Sequence, residues 1–442
     1  MKSVKILGLV LLLAVVGVLF AFSGPQKIVF YSTQLRPIEE AEWVRGTLLP
    51  PFTEETGIAV EFVPDEYSPW ADRLIAEYKA WKETGKCGVD LAGGLHGDFM
   101  GVLETPEKEL RFIDLSDKLA ELSADRTFIE SFVELGKMGG IQAHIPWMQA
   151  TYLLVINKRA LGYLPEGADI WRLTYGDLLE WAKNIYEATG EKKFGIPVGP
   201  KSLLHRFVHG YLYPSFTRST VKKFKSPEAI KLWEYAKELW QYVHPEAAKW
   251  DAMAEPLLEK AVWIAWDHTA RVKKAIESFP KDFIAVPSPA GPLGRGFISV
   301  LAGLGIPKAA CDPDSAGKLI EYLTRPDVQV TTLEGVGFFP VVEEAAAVVP
   351  VGPMRVLADG VTAQAAAYDA IVAMIPGGLG ARAGEFSKIY RDTFTEIVIK
   401  GRPIEEVLEE QGKLLAELYR DTGAPCPLPD DPTEAPCIPE GF

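Results

Sequence analysis

The chain has 442 residues, of which 48% are hydrophobic and 24% charged, and its net charge is −14. That length exceeds what one core usually encloses, so two lobes are expected. The acid excess, with no Lys/Arg run to offset it, excludes a polyanionic partner such as nucleic acid, and no internal stretch approaches the roughly 20 apolar residues of a membrane span.

The first 23 residues read as a signal peptide. Lys2 and Lys5 precede an apolar run over residues 6–20, and Ala21-Phe22-Ser23 supplies small residues for cleavage before Gly24. The mature chain is expected to be exported, to a periplasmic or extracellular space, with an uncleaved anchor as the alternative. No Cys follows the run, so a lipid tether is not expected. The scarcity of Asn (only Asn157 and Asn184) beside abundant Glu, Lys and Pro fits a thermophile.

Strands are expected over residues 27–31, 59–63 and 89–92, with helices over 38–56 and 69–84 ended by Gly57 and Gly85, which makes a βαβαβ unit. A second alternation runs through a strand over 152–156, a helix over 174–189 with Thr174 as N-cap, and a strand over 194–198. Ser226-Pro227 opens a further helix whose Trp233 and Trp240 lie on one apolar face and read as core. In the Pro-rich tail, Cys426 and Cys437 are expected to pair, while Cys87 and Cys311 form either a second disulfide or two buried thiols.

Catalytic, nucleotide and metal signatures are missing. There is neither a G-x-S-x-G elbow nor a phosphate loop. His205 and His209 are spaced as in a zinc helix, but Arg206 stands where the general-base Glu would be needed. Gly378-Leu379-Gly380 and Gly384 follow no strand and read as a loop. No catalytic group, metal or cofactor is therefore expected. What remains is a set of aromatic residues beside turns and polar groups: Trp70, Trp147, Trp266 and Phe338-Phe339. A sugar presents an apolar C–H face and a rim of hydroxyls, which a flat ring beside Asp or Gln would match.

An export signal followed by FYSTQLRPIEEAEWVRGTLLPPFTEETGIAVEFV, DLAGGLHGDF, IPWMQATYLLVINKRAL, PSPAGPLGRGFISVLAGLGIPKAACDPDSAGKLIEYLTRPDVQ and GVGFFPV resembles the family 1 extracellular solute-binding proteins of carbohydrate-uptake ABC transporters, over residues 27–420. The resemblance implies an α/β, two-lobed periplasmic binding protein type II fold. Lobe I would comprise residues 24–148 and 300–339, lobe II residues 149–299 and 340–424, and residues 425–442 a separate tail. Hinge crossings would fall at 146–152, 299–302 and 339–342. The resemblance implies ligand binding by His96, Asp98, Trp147, Gln149, Trp266, Asp267, His268 and Phe386, with Tyr211 and Tyr213 as weaker candidates; Trp70 and Phe338 join them as aromatic residues beside turns, and Arg382 reads as a surface ion pair in preference to a contact with an anionic sugar. The implied partners are a carbohydrate and the permease subunits of the transporter, with the chain itself a monomer. The rival readings are an exported lyase or glycosidase using Asp98 and Asp267 as its carboxyl pair, and the same fold serving a peptide, polyamine or metal anion.

Overall fold

The computed structural model describes residues 27–442; the segment read as a signal peptide lies outside them. The first lobe is built on a sheet of β1 (Lys27–Ser32), β2 (Ala59–Pro64), β3 (Leu91–Leu95), β4 (Ile145–Ala150) and a late strand, Val300–Gly305. Their order is β2-β1-β3-(Val300–Gly305)-β4. The first three strands pair in parallel because each is returned by a helix, and the late strand runs antiparallel to both of its neighbours. Gly57 and Gly85 end the returning helices at φ of 73° and 71°, a conformation that costs glycine little.

The second lobe has a four-stranded sheet, with β5 (Tyr152–Asn157) and β7 (Ile264–His268) at its centre and β6 (Phe194–Gly195) and β8 (Phe283–Val286) at its edges. The strand expected over 194–198 is thus only two residues long. The helix Tyr175–Thr189 begins as its sequence dictates. The Thr174 hydroxyl accepts from the Asp177 amide and the Asp177 carboxylate accepts from the Thr174 amide, so two otherwise orphaned donors are satisfied together. Trp233 is fully buried in this lobe's core, and Trp240 packs against it.

Two strands cross between the lobes side by side. β4 belongs to the first sheet and β5 to the second, with only Thr151 between them. Likewise β9 (Arg295–Ile298) passes through Ser299 into β10 (Val300–Gly305), while β11 (Ala370–Ala373) pairs in parallel with β9. The Thr151 hydroxyl donates to the Ile298 carbonyl at 2.7 Å and accepts from Gln364 Nε2 at 2.8 Å, so the crossings are tied to each other. Around residues 339–342, Phe339 packs with Leu153 and Val155 of the second lobe while Val341, Val342 and Ala345 pack in the first lobe's core.

Both disulfides form. Cys87–Cys311 closes 224 residues within the first lobe, and Cys426–Cys437 closes the tail. The tail has no helix, and it is docked rather than free. Both of its cysteines are buried in the second lobe's core, and the Asp430 carboxylate accepts the amides of Thr220 and Val221.

Candidate functional site

A cavity of about 330 Å³ lies between the lobes. From the first lobe it is walled by Tyr67 and the turn Leu95-His96-Gly97-Asp98, at its floor by the crossing residues Ser299 and Val300, and from the second lobe by Met374 to Gly380. The lobes approach closely here. A Cβ added to Gly377 would stand 3.2 Å from the Gly97 carbonyl oxygen, and one added to Gly97 would stand 3.7 Å from the Gly377 Cα. Small residues on both rims therefore permit closure.

The His96–Asp98 turn is held from within its own lobe. Asp98 Oδ2 accepts from the Thr33 hydroxyl at 2.6 Å and the Leu95 amide at 2.8 Å, which fixes the start of the helix His96–Val102. Burial raises the Asp98 pKa, and these two hydrogen bonds oppose the rise. Burial likewise depresses His96 to about 4, so its ring is neutral near pH 7. His96 and Ser299 line the cavity, and His96 Nδ1 and the Ser299 hydroxyl are sealed from solvent with no hydrogen-bond partner among the described residues.

The other residues implied for the site are placed elsewhere, and the reasons are local. Trp147 alternates into the first lobe's core, 1% exposed, with its ring edge-on to Phe30 at 5.5 Å. Trp70 is fully buried and donates its indole N–H to the Tyr31 carbonyl. Trp266 stacks on Tyr152 at 4.9 Å within the second core. Phe386 is also a core residue, packed on His209 and Tyr390. Tyr211 acts as a buried pin at the crossing, its hydroxyl bonded to the backbone N–H and carbonyl of Tyr152. Tyr213 is buried and donates to the Phe224 carbonyl. Phe338 is half-buried against the first core.

Gln149 donates to the Pro340 carbonyl and lines a separate groove of about 610 Å³ beside Phe339, Arg355 and Ala358. Asp267 is sealed from solvent, with its two oxygens taken by the amides of Met253 and His268, and burial pushes it up to about 7. Arg382 pairs on the surface with Glu385 and Asp421, each at 2.8 Å. His205 and His209 are buried and held neutral, and among the described residues no cluster of three His, Cys, Asp or Glu could hold a metal ion.

The wall from Met374 to Gly380 was missed as a site, although its glycines were visible as a loop. Its support is the tail. The Met374 amide donates to the Leu428 carbonyl at 3.1 Å, and Gly378 lies against Ala424 and Pro425. The docked tail thus backs the face that the second lobe turns to the cavity.

Solved structures with this architecture are numerous. The sugar-binding protein MalE from Xanthomonas citri superposes with a TM-score of 0.69 at 15% identity, over 90% of this chain and 98% of that one. MalE3 of T. maritima, solved with maltose, gives a TM-score of 0.58 at 18% identity over 89% and 99%. UgpB from Mycobacterium tuberculosis, solved with glycerophosphocholine, gives 0.61 at 18% identity over 90% and 99%. No curated protein matches the sequence. Residues 36–330, two-thirds of the chain, match the model of the bacterial extracellular solute-binding proteins, and the chain belongs to that family.

Proposed function

We propose that this protein receives a sugar, from a monosaccharide to a short oligosaccharide, in the interlobe cavity and delivers it to the permease of an ABC importer outside the cytoplasm. The observation that carries this reading is the cavity itself, walled by both lobes and floored by the crossing residues Ser299 and Val300. A solute touching both walls binds the closed arrangement better than the open one, and so shifts the population toward closure. The mixture of polar residues such as Asp98 and Ser68 with apolar ones such as Leu95 and Met374 on its walls suits a ligand that carries both hydroxyl groups and a C–H face. Carriage rather than hydrolysis is favoured by the state of Asp267, whose carboxylate is sealed in the core with both oxygens engaged and cannot serve opposite Asp98. A thermal-shift screen over sugars and polyols, with peptides and polyamines alongside, tests the reading. A solute at 100 times its Kd stabilises by about 2.7 kcal/mol, so a sugar should raise Tm. A rise only with peptides or polyamines would refute the sugar, and release of cleaved products would refute the carrier.

A further inference from the structure

The two disulfides differ in their surroundings. Cys426 and Cys437 are 1% and 0% exposed and belong to the second lobe's core. Cys87 and Cys311 are both exposed at the surface of the first lobe. Their place follows from the sheet. Cys87 comes just before β3 begins at Leu91, and Cys311 just after β10 ends at Gly305, where the two antiparallel strands pair Ala92 with Gly305. The opposite ends of these strands, Leu95 and Val300, line the cavity, so the exposed bond lies at the end of the sheet away from the solute.

The backbone around this bond is also held without it. The Gly88 amide donates to the Ala309 carbonyl at 2.8 Å. Asp90 Oδ1 accepts the Asp312 amide at 2.7 Å, and its Oδ2 accepts the Val29 amide at 2.8 Å. Beneath the loop, Glu77 Oε2 accepts the Val89 amide at 2.8 Å. Opening the S–S bond therefore leaves the two segments side by side. Cys311 Sγ also stands 3.4 Å from the Gly88 carbonyl oxygen, so a thiol formed there has an acceptor in place.

The neighbours in sequence distinguish the two sulfurs. Cys87 follows Gly85-Lys86 and precedes Gly88, which gives it small neighbours and one cation. Cys311 is followed by Asp312 and Asp314, whose carboxylates repel an incoming thiolate.

We propose that Cys87–Cys311 is a redox site that exchanges with a dithiol while the protein stays folded, and that Cys426–Cys437 is closed to that exchange. A thiolate of the dithiol attacks Cys87 Sγ. A new S–S bond forms to Cys87, the Cys87–Cys311 bond breaks, and Cys311 leaves as a thiolate that takes up a proton. The second sulfur of the dithiol then displaces Cys87, so that two electrons pass to the protein, which ends with two thiols, and the dithiol ends as its own disulfide. Such attack requires free access to a sulfur, which the surface pair offers and the core pair does not.

Timed reduction of the protein under native conditions tests it, with dithiothreitol as a small dithiol and reduced thioredoxin as a protein one. Free thiols are trapped with N-ethylmaleimide and mapped by mass spectrometry. With dithiothreitol, Cys87 and Cys311 should open at least about tenfold faster than Cys426 and Cys437. Opening by thioredoxin as well identifies the partner as a protein dithiol, and opening by dithiothreitol alone identifies a small one. With only this bond open, the protein should still unfold cooperatively but at a lower Tm, because a loop of 224 residues no longer restrains the unfolded chain. A brief pulse of glutathione, a monothiol that stops at the mixed disulfide, should mark Cys87 before Cys311. The proposal is overturned if the tail bond opens as fast, if Cys87–Cys311 stays closed until denaturant is added, or if its opening abolishes the cooperative transition. A first mark on Cys311 would overturn the attack at Cys87.

Discussion

The strand mouths at Trp147 and Trp266 and the glycine-bearing turns at Gly97 and Gly377 are both rich in turn residues, yet the fold uses them oppositely. The tryptophans go inward, onto Phe30 in one lobe and Tyr152 in the other, each packed on a ring from another strand of its own sheet. The glycines go outward to face each other across the cavity, where backbone can approach backbone. Stability in this protein rests on large rings beside the crossings. Access to the cavity rests on residues with almost no side chain.

The sharpest way to break that contrast is to truncate a ring. Trp266→Ala removes a fully buried side chain and should cost about 3–5 kcal/mol, read as a fall in the denaturant midpoint. Replacement of both Cys426 and Cys437 by Ser should cost about 3 kcal/mol by freeing the unfolded chain. Because the tail backs Met374 and Gly378, it should also weaken solute binding, an effect not expected from the Cys87 and Cys311 pair in the first lobe. Unchanged affinity with a lowered Tm would reduce the tail to a staple. Asp98→Ala removes the acceptor for the Thr33 hydroxyl and the Leu95 amide and should cost about 1–2 kcal/mol.

A smaller effect concerns pH. His96 and His268, with an ordinary value of 6.5, are depressed to about 4 and His205 to about 2, so the unfolded chain binds more protons than the folded one below pH 6.5. Their contribution is fully present above that value and is lost as pH falls toward 4. Asp267, raised from 3.8 to about 7, works in the opposite sense, since its contribution is present at low pH and lost as pH rises from 4 to 7. Tm should fall on acidification from pH 7 to 4.5, and it should fall more steeply in Asp267→Asn. A flat profile in both proteins would contradict these assignments.

The sequence carried the alternation of elements, the Thr174 cap and the crossing inside IPWMQATYLLVINK, because periodicity and capping are local properties. Of the site it carried His96 and Asp98, which stand on a turn at the end of a strand. It misled at Trp147 and Trp266 because proximity to a turn locates a sheet edge without saying which face a side chain takes. It placed Ser299 at a crossing and Gly378–Gly380 in a loop but put neither on the cavity wall, because that position depends on chain segments hundreds of residues from His96.

The most direct test of the account is titration of a solute that raises Tm into Gly377→Val. The variant's Cβ would stand 3.2 Å from the Gly97 carbonyl, so its branched side chain should prop the rims apart without disturbing either core. The account predicts affinity weakened by about tenfold or more with Tm of the unliganded protein essentially unchanged. Wild-type affinity in Gly377→Val would contradict it and move the binding site away from the interlobe cavity.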